Sequence, residues 1–83
     1  MAKRMLIDKI AQTYRNRVRE CRLVARIATQ EELSQMTGIN RSTLNALEHN
    51  RLFLSSHYAL TIAEALGCKL DHLYEKRNGR TQF

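Results

Sequence analysis

Residues 29–50, TQEELSQMTGINRSTLNALEHN, constrain the fold more than any other part of the chain. Thr29 and Glu32 have the T-x-x-E spacing of a helix N-terminus, where the threonine hydroxyl accepts the backbone N–H three residues later. Gly38 predicts the end of this helix, because glycine adopts the positive φ that often follows a helix without steric cost. Asn40 is a favoured N-cap for a further helix. The stretch therefore predicts two short helices joined by a tight turn.

The second of these helices has a narrow apolar seam and a polar first turn. Leu44 and Leu47 lie three positions apart and form the seam, by which we expect the helix to pack. The side chains that project away from this seam are those of Arg41, Ser42, Asn45 and Ala46. Arginine can bridge O6 and N7 of guanine, asparagine can pair with N6 and N7 of adenine, serine can bond to several bases, and a small apolar side chain can contact the thymine methyl group. These four residues are therefore predicted to read bases in a major groove.

The first helix fits the same arrangement, a helix-turn-helix. Its partner helix enters the groove while this helix crosses the DNA backbone. Free backbone N–H groups and the positive end of the helix dipole make its N-terminus a site for phosphate. Thr29 and Gln30 stand there and are predicted to contact phosphate.

The remaining sequence predicts further helices. Residues 5–26 have apolar side chains at steps of three and four, which predicts one long helix. That apolar face would comprise Leu6, Ile10, Tyr14, Val18, Cys21 and Ala25. A fourth helix is expected to begin at Ser55 or Ser56 and to end at Gly67, followed by a short fifth helix with Leu70, Leu73 and Tyr74. The expected fold class is therefore an all-α, five-helix single domain over residues 1–83, with an extended first helix and a flexible basic tail over about 75–83.

Composition limits the partners and the compartment. The chain has 83 residues, a formal net charge of +6 and no proline. A small basic domain favours a polyanionic partner, nucleic acid first, although the same charge also serves ordinary solubility. No apolar run approaches the roughly 20 residues that cross a bilayer. Residues 1–10 lack the apolar stretch of a secretory signal, so the expected location is the cytoplasm.

Catalytic and metal-binding patterns are missing from the sequence. Cys21 and Cys68 are not in a metal-ligand spacing and are interpreted as two small core residues, with a disulfide or a reactive thiol as the alternative. The three histidines have no ligand spacing either. The serines lack plausible partners for nucleophilic catalysis, and no glycine-rich phosphate loop is present. We therefore expect no enzyme activity, no cofactor and no metal.

Residues 29–51, TQEELSQMTGINRSTLNALEHNR, resemble the helix-turn-helix of the XRE family, which includes the phage lambda repressor and Cro. The matching positions are Thr29, Gln30, Leu33, Gly38, Ile39, Leu44, Leu47 and Glu48. Further along the chain, LTIAEALGCKLDHLY is similar to the fourth and fifth helices of that family. The resemblance covers about residues 15–74 and implies a lambda-repressor-like fold with the helix-turn-helix at about 29–49. Residues 1–14 extend beyond it and could lengthen the first helix or form a dimer surface.

The resemblance also implies roles for single residues. Gln30 matches a phosphate-binding glutamine, and the four base-reading candidates named above match recognition-helix positions. Thr43, His49 and Arg51 match positions near phosphates. Glu48 resembles a glutamate that pairs with an arginine of the first helix, for which Arg22 is the expected partner.

Three functions follow as hypotheses. The first is a sequence-specific regulator of double-stranded DNA, most simply a repressor, acting as a homodimer on a palindromic operator. The second keeps the fold but makes a protein the main partner, as in an antitoxin. The third uses the basic amphipathic segment 5–26 as a membrane-surface anchor, which the scarcity of aromatic residues disfavours.

Overall fold

The computed structural model describes residues 2–77. Within this range the chain forms five α-helices, one short 3-10 helix and a two-stranded sheet. In chain order the elements are α1 (Ala2–Thr13), β1 (Tyr14–Asn16), α2 (Val18–Val24), α3 (Gln30–Thr37), α4 (Arg41–Glu48), α5 (Ser56–Leu66), the 3-10 helix (Leu70–Leu73) and β2 (Tyr74–Lys76). The expectation of an all-α fold is therefore wrong in one respect, since the sheet was not predicted.

The predicted long helix over residues 5–26 is also wrong. β1 interrupts it and pairs antiparallel with β2, with Tyr14 opposite Lys76 and Asn16 opposite Tyr74. These backbone hydrogen bonds join segments about 60 positions apart, so no local periodicity signals them. Asn16 is buried at the break, where its Nδ2 donates to the Leu47 carbonyl over 2.7 Å. The competing long-range bonds thus replace a continuous helix.

Two further expectations change with this break. Leu6 and Ile10 were expected to share a packed face with Val18, but they are 60% and 43% exposed whereas Val18 is fully buried. Glu75 and Lys76 were expected in a flexible tail, but both lie in β2. Arg77 of that predicted tail donates its backbone N–H to the Thr13 carbonyl, and residues 78–83 lie outside the described residues.

The predicted helix boundaries around the turn are confirmed. The Thr29 hydroxyl accepts the backbone N–H of Glu32 over 3.1 Å at the start of α3. Gly38 ends α3 with a φ of 78°, in the left-handed region that glycine tolerates. The Asn40 side chain then accepts the backbone N–H of Ser42 over 2.8 Å, which caps α4. The α3–turn–α4 unit is thus encoded locally.

The core lies between α2, α3, α4 and α5. Its fully buried large side chains are Val18, Leu33, Leu44, Leu47, Leu54, Ile62 and Leu73. α3 and α4 pack on each other, and α5 packs on both α3 and the 3-10 helix. Cys21 and Cys68, predicted as core residues, are only partly buried and pack against the edge of this core.

In the part of the chain that the structure describes, no helix has both the length and the apolarity that a membrane span requires. The amphipathic helix on which the membrane-anchor hypothesis depended is divided into α1 and α2 by β1. That hypothesis therefore loses its structural basis.

Candidate nucleic-acid interface

One side of α4 packs on the core, and the other side faces solvent. Leu44 and Leu47 are fully buried, whereas Arg41 and Ser42 in the first turn are exposed. Asn45 and Ala46, one turn later, are half-buried. The apolar seam thus fixes the helix on the core, and its N-terminal turn presents polar side chains to solvent.

A shallow polar cleft lies where α3 begins beside α4. Its lining comprises Gln30 from α3 and Arg41, Ser42 and Asn45 from α4. The structure therefore brings together three of the four predicted base-reading residues and one predicted phosphate-contacting residue. Ala46, the fourth base-reading candidate, is half-buried and does not line this cleft.

Gln30 is committed to contacts within the protein. Its Nε2 donates to Asn45 Oδ1 over 3.2 Å and to Glu48 Oε1 over 3.0 Å. The first bond orients the amide of Asn45 and leaves its NH₂ group and the second lone pair of its oxygen available for a base. The sequence singled out Gln30 for phosphate alone, so this positioning contact was missed.

Arg22 and Glu48 form a bidentate ion pair beneath α4. Arg22 Nε lies 2.8 Å from Glu48 Oε2, and Arg22 Nη2 lies 3.2 Å from Glu48 Oε1. The remaining Arg22 nitrogen, Nη1, donates to the Ile27 carbonyl over 3.0 Å. The two side chains are 6% and 1% exposed, so the pair joins α2 to the C-terminal end of α4 in a dry environment.

Two asparagines secure the segment after α4. Asn50 has a φ of 56°, which asparagine tolerates better than most residues, and it ends the turn that follows the helix. Asn50 Oδ1 accepts the backbone N–H of Asn16 over 3.0 Å and the side-chain Nδ2 of Asn16 over 3.2 Å. Asn16 also donates to the Leu47 carbonyl, as described above. Asn16 was not singled out from the sequence, because nothing near it in the chain indicates its partners.

The other predicted phosphate-contacting residues lie at the start of α3, in the first turn of α4 and just after α4. Thr29 is exposed but its hydroxyl already caps α3, and Thr43 is half-buried. His49 and Arg51 are exposed just beyond the end of α4. His49 Nδ1 lies 2.8 Å from the Asn45 carbonyl oxygen, so one ring nitrogen is engaged within the helix end.

The metal-ligating side chains of residues 2–77 do not form a group that could hold a metal ion. Within that range no three His, Cys, Asp or Glu side chains lie close enough together to hold a metal ion. The buried side-chain nitrogen and oxygen atoms of the described residues all have hydrogen-bond partners. What the surface offers instead is an exposed polar helix turn on a chain with a formal charge of +6.

Comparison with known families agrees with this geometry. Residues 18–73 match the family described as helix-turn-helix, which is more than half of the chain. The match begins at the first residue of α2 and ends at the last residue of the 3-10 helix, so α1 and both strands lie outside it. No curated protein and no solved structure matches the chain significantly. The chain belongs to the XRE-type helix-turn-helix family of DNA-binding regulatory proteins.

Proposed function

We propose that the protein is a sequence-specific regulator that inserts the first turn of α4 into the major groove of double-stranded DNA. The observation that carries this proposal is the asymmetry of α4, whose seam is fully buried while Arg41 and Ser42 are exposed beside Asn45. A helix held along one side and free at its N-terminal turn suits the docking of a recognition helix. No catalytic function accompanies it in this proposal.

The base-reading roles are assigned by side-chain chemistry. Arg41 donates to guanine O6 and N7, and Asn45 pairs with the edge of adenine while Gln30 holds its amide in place. Ser42 bonds to an adjacent base. Ala46 lies deeper on the helix and supplies the apolar contact to a thymine methyl group if α4 enters far enough.

Phosphate contacts position the helix without reading sequence. Thr29 and Gln30 lie at the N-terminus of α3, where backbone N–H groups favour an anion. Thr43, His49 and Arg51 form the other set, along and beyond α4. Arg51 contributes a full charge, so its loss is expected to weaken binding to all sequences equally.

A homodimer on a palindromic operator is the proposed active form, because two recognition helices placed about 34 Å apart read two half-sites one helical turn from each other. An exposed apolar groove lined by Leu6, Ile10, Ala11 and Phe53 supports association of the protein. Repression follows where the operator overlaps a promoter. Acting on chromosomal or phage DNA places the protein in the cytoplasm in this proposal.

The direct test is a selection of randomised duplex DNA by the purified protein, sequenced after binding at two salt concentrations. The proposal expects a palindrome with half-sites about one turn apart that is enriched at both concentrations. Binding without sequence enrichment that disappears with salt would reflect counterion release alone and would refute sequence-specific recognition.

Arg41→Ala tests the base-reading assignment on the selected operator. The variant is expected to lose ~1–3 kcal/mol of binding free energy and to relax specificity at one base position. Arg19→Ala is the matched control, because Arg19 is an exposed arginine of α2 and its loss changes the net charge equally. If Arg41→Ala and Arg19→Ala both kept the parent protein's relative affinities for altered operator sequences, Arg41 would not read a base.

A protein partner is the second candidate function, and the apolar groove between α1 and Phe53 is the observation that favours it. In this case the protein acts in the manner of an antitoxin, and DNA binding serves only its own regulation or is lacking. Co-purification of one defined partner, together with no enrichment in the DNA selection, would favour this function over the first.

A further inference from the structure

The two cysteines of the chain meet at a surface cleft outside the DNA-binding face. Cys21 lies on α2, and Cys68 directly follows Gly67, which ends α5. Both line one cleft, together with Arg17, Glu20 and His72 among others. Both are free and only partly buried, although 47 positions separate them in the sequence. The fold, and not the local sequence, therefore places two thiols at one opening that a small molecule can enter.

The residues around the Cys21 thiol, Cys68 among them, affect its reactivity. The Cys21 thiol donates to the His72 carbonyl oxygen over 3.3 Å, and both residues line the cleft. Burial raises the pKa of Cys21, the charge of the neighbouring Cys68 raises it further, and Arg17 acts in the opposite direction. Cys21 is therefore a protonated thiol at neutral pH and reacts faster as the pH rises, since the thiolate is the nucleophile.

We propose that Cys21 and Cys68 are a site of reversible oxidation, at which a hydroperoxide converts the two thiols into one intramolecular disulfide. One sulfur attacks the peroxide oxygen, which breaks the O–O bond and gives a sulfenic acid and water. The second sulfur then attacks the sulfenic sulfur, forms the S–S bond and releases a second water. Two thiols and one hydrogen peroxide thus yield a disulfide and two waters, and a dithiol reductant restores the thiols.

The proposed bond connects the cleft with the recognition helix. An S–S bond is about 2.05 Å long, shorter than any contact between two unbonded thiols, so oxidation draws α2 towards the end of α5. Arg22, the residue after Cys21, holds Glu48 of α4 in the buried ion pair. The same short helix therefore carries both the oxidised residue and the anchor of α4. We expect oxidation to weaken operator binding about tenfold, within the range usual for coupled sites. This expectation rests on the proposed DNA-binding function.

The test treats the full chain with hydrogen peroxide and measures the intact mass. Since the chain contains only two cysteines, an intramolecular disulfide can join no other pair. The expected result is a monomer about 2 Da lighter, restored by dithiothreitol, that forms faster at about pH 9 than at about pH 7. Cys21→Ser and Cys68→Ser are expected to gain oxygen atoms or to cross-link between molecules instead, and Cys21→Ala provides an apolar version should the serine variant fold poorly.

The outcomes distinguish a failure of the proposed disulfide from a failure of the proposed DNA-binding function. Oxygen addition or intermolecular bridges in the parent protein, without the lighter monomer, would show that the thiols do not meet and would overturn the proposal. A disulfide that left the affinity for the selected operator unchanged would overturn the coupling to α4. A disulfide in a protein that selects no operator would support the thiol site while refuting the proposed DNA-binding function.

Discussion

Arg22 and Arg15 make glutamate contacts of similar chemistry in opposite surroundings. Arg22 and Glu48 join α2 to α4 with side chains that are 6% and 1% exposed. Arg15 contacts Glu20 and Glu75 near the sheet, and all three of these side chains are between 38% and 47% exposed. The shortest N–O distance is 2.8 Å in the first case and 3.2 Å in the second.

The difference shows that burial, more than the presence of opposite charges, decides what an ion pair does. An exposed pair gains little because water and salt screen it. A buried pair is weak evidence for added stability, but removing one partner leaves a charge without compensation in a dry site. Arg22 also donates to the Ile27 carbonyl, and Glu48 also accepts from Gln30. The buried contact therefore fixes one orientation of α4, whereas the exposed contact is replaceable.

The largest effect is expected for Glu48→Ala. Removing the carboxylate leaves the buried Arg22 guanidinium unpaired, which is expected to lower the free energy of unfolding by ~3–5 kcal/mol. Urea denaturation followed by circular dichroism measures this change. The matched control is the double variant Arg22→Met with Glu48→Leu, which should regain most of the loss because no charge stays buried. A loss below about 1 kcal/mol for Glu48→Ala would show that this buried pair contributes no more to the free energy of unfolding than an exposed pair does.

An intermediate effect is expected for Asn16→Ala, which tests whether a neutral buried contact under α4 behaves like the charged one. The change leaves the buried backbone N–H of Val18 without its acceptor, Asn16 Oδ1, at 3.1 Å. It also removes one of the two donors to the Leu47 carbonyl, which keeps the Asn50 backbone N–H. A loss of ~1–3 kcal/mol in the free energy of unfolding is expected from an unsatisfied buried group. Asn50→Gly serves as the comparison, since glycine keeps the positive φ and removes only the acceptor for Asn16. Equal stability of Asn16→Ala and the parent would show that water replaces the side-chain groups of Asn16.

The smallest effect is expected for Arg15→Ala. Its two carboxylate partners are exposed, so the free energy of unfolding should fall by less than about 1 kcal/mol, and the difference should shrink further in high salt. Thermal unfolding at low and high salt measures both features. A salt-independent loss as large as that of Glu48→Ala would show that the comparison between buried and exposed pairs does not hold here.

The sequence predicted best where the determining contacts are local. Thr29, Gly38 and Asn40 act within a few residues of their own position, and both ends of α3 and the start of α4 follow from them. The helix predicted over residues 5–26 failed because its apolar period continues through β1 without interruption. The partners of β1 lie in β2 and after α4, and only the folded chain brings them together.

The candidate site divides in the same way. The exposed first turn of α4 was predictable, because Leu44 and Leu47 define which side packs. The expected partnership of Arg22 with Glu48 came from the resemblance to a family, since 26 positions separate the two residues and no spacing rule connects them. The bond from Gln30 to Asn45 depends on the crossing of α3 and α4 and could not be predicted from either helix alone.

The pairing of β1 with β2 brings together the two segments that flank the helices from α2 to the 3-10 helix. The backbone N–H of Arg77 donates to the Thr13 carbonyl over 2.6 Å, so the segment before α2 and the segment after the 3-10 helix meet at one place. A short linker from residue 77 to residue 14 would therefore close residues 14–77 into a ring without stretching the chain. New termini could then be opened in the loop before α5. A biosensor or enzyme fused through both of these strands would likewise be joined to the protein at a single place.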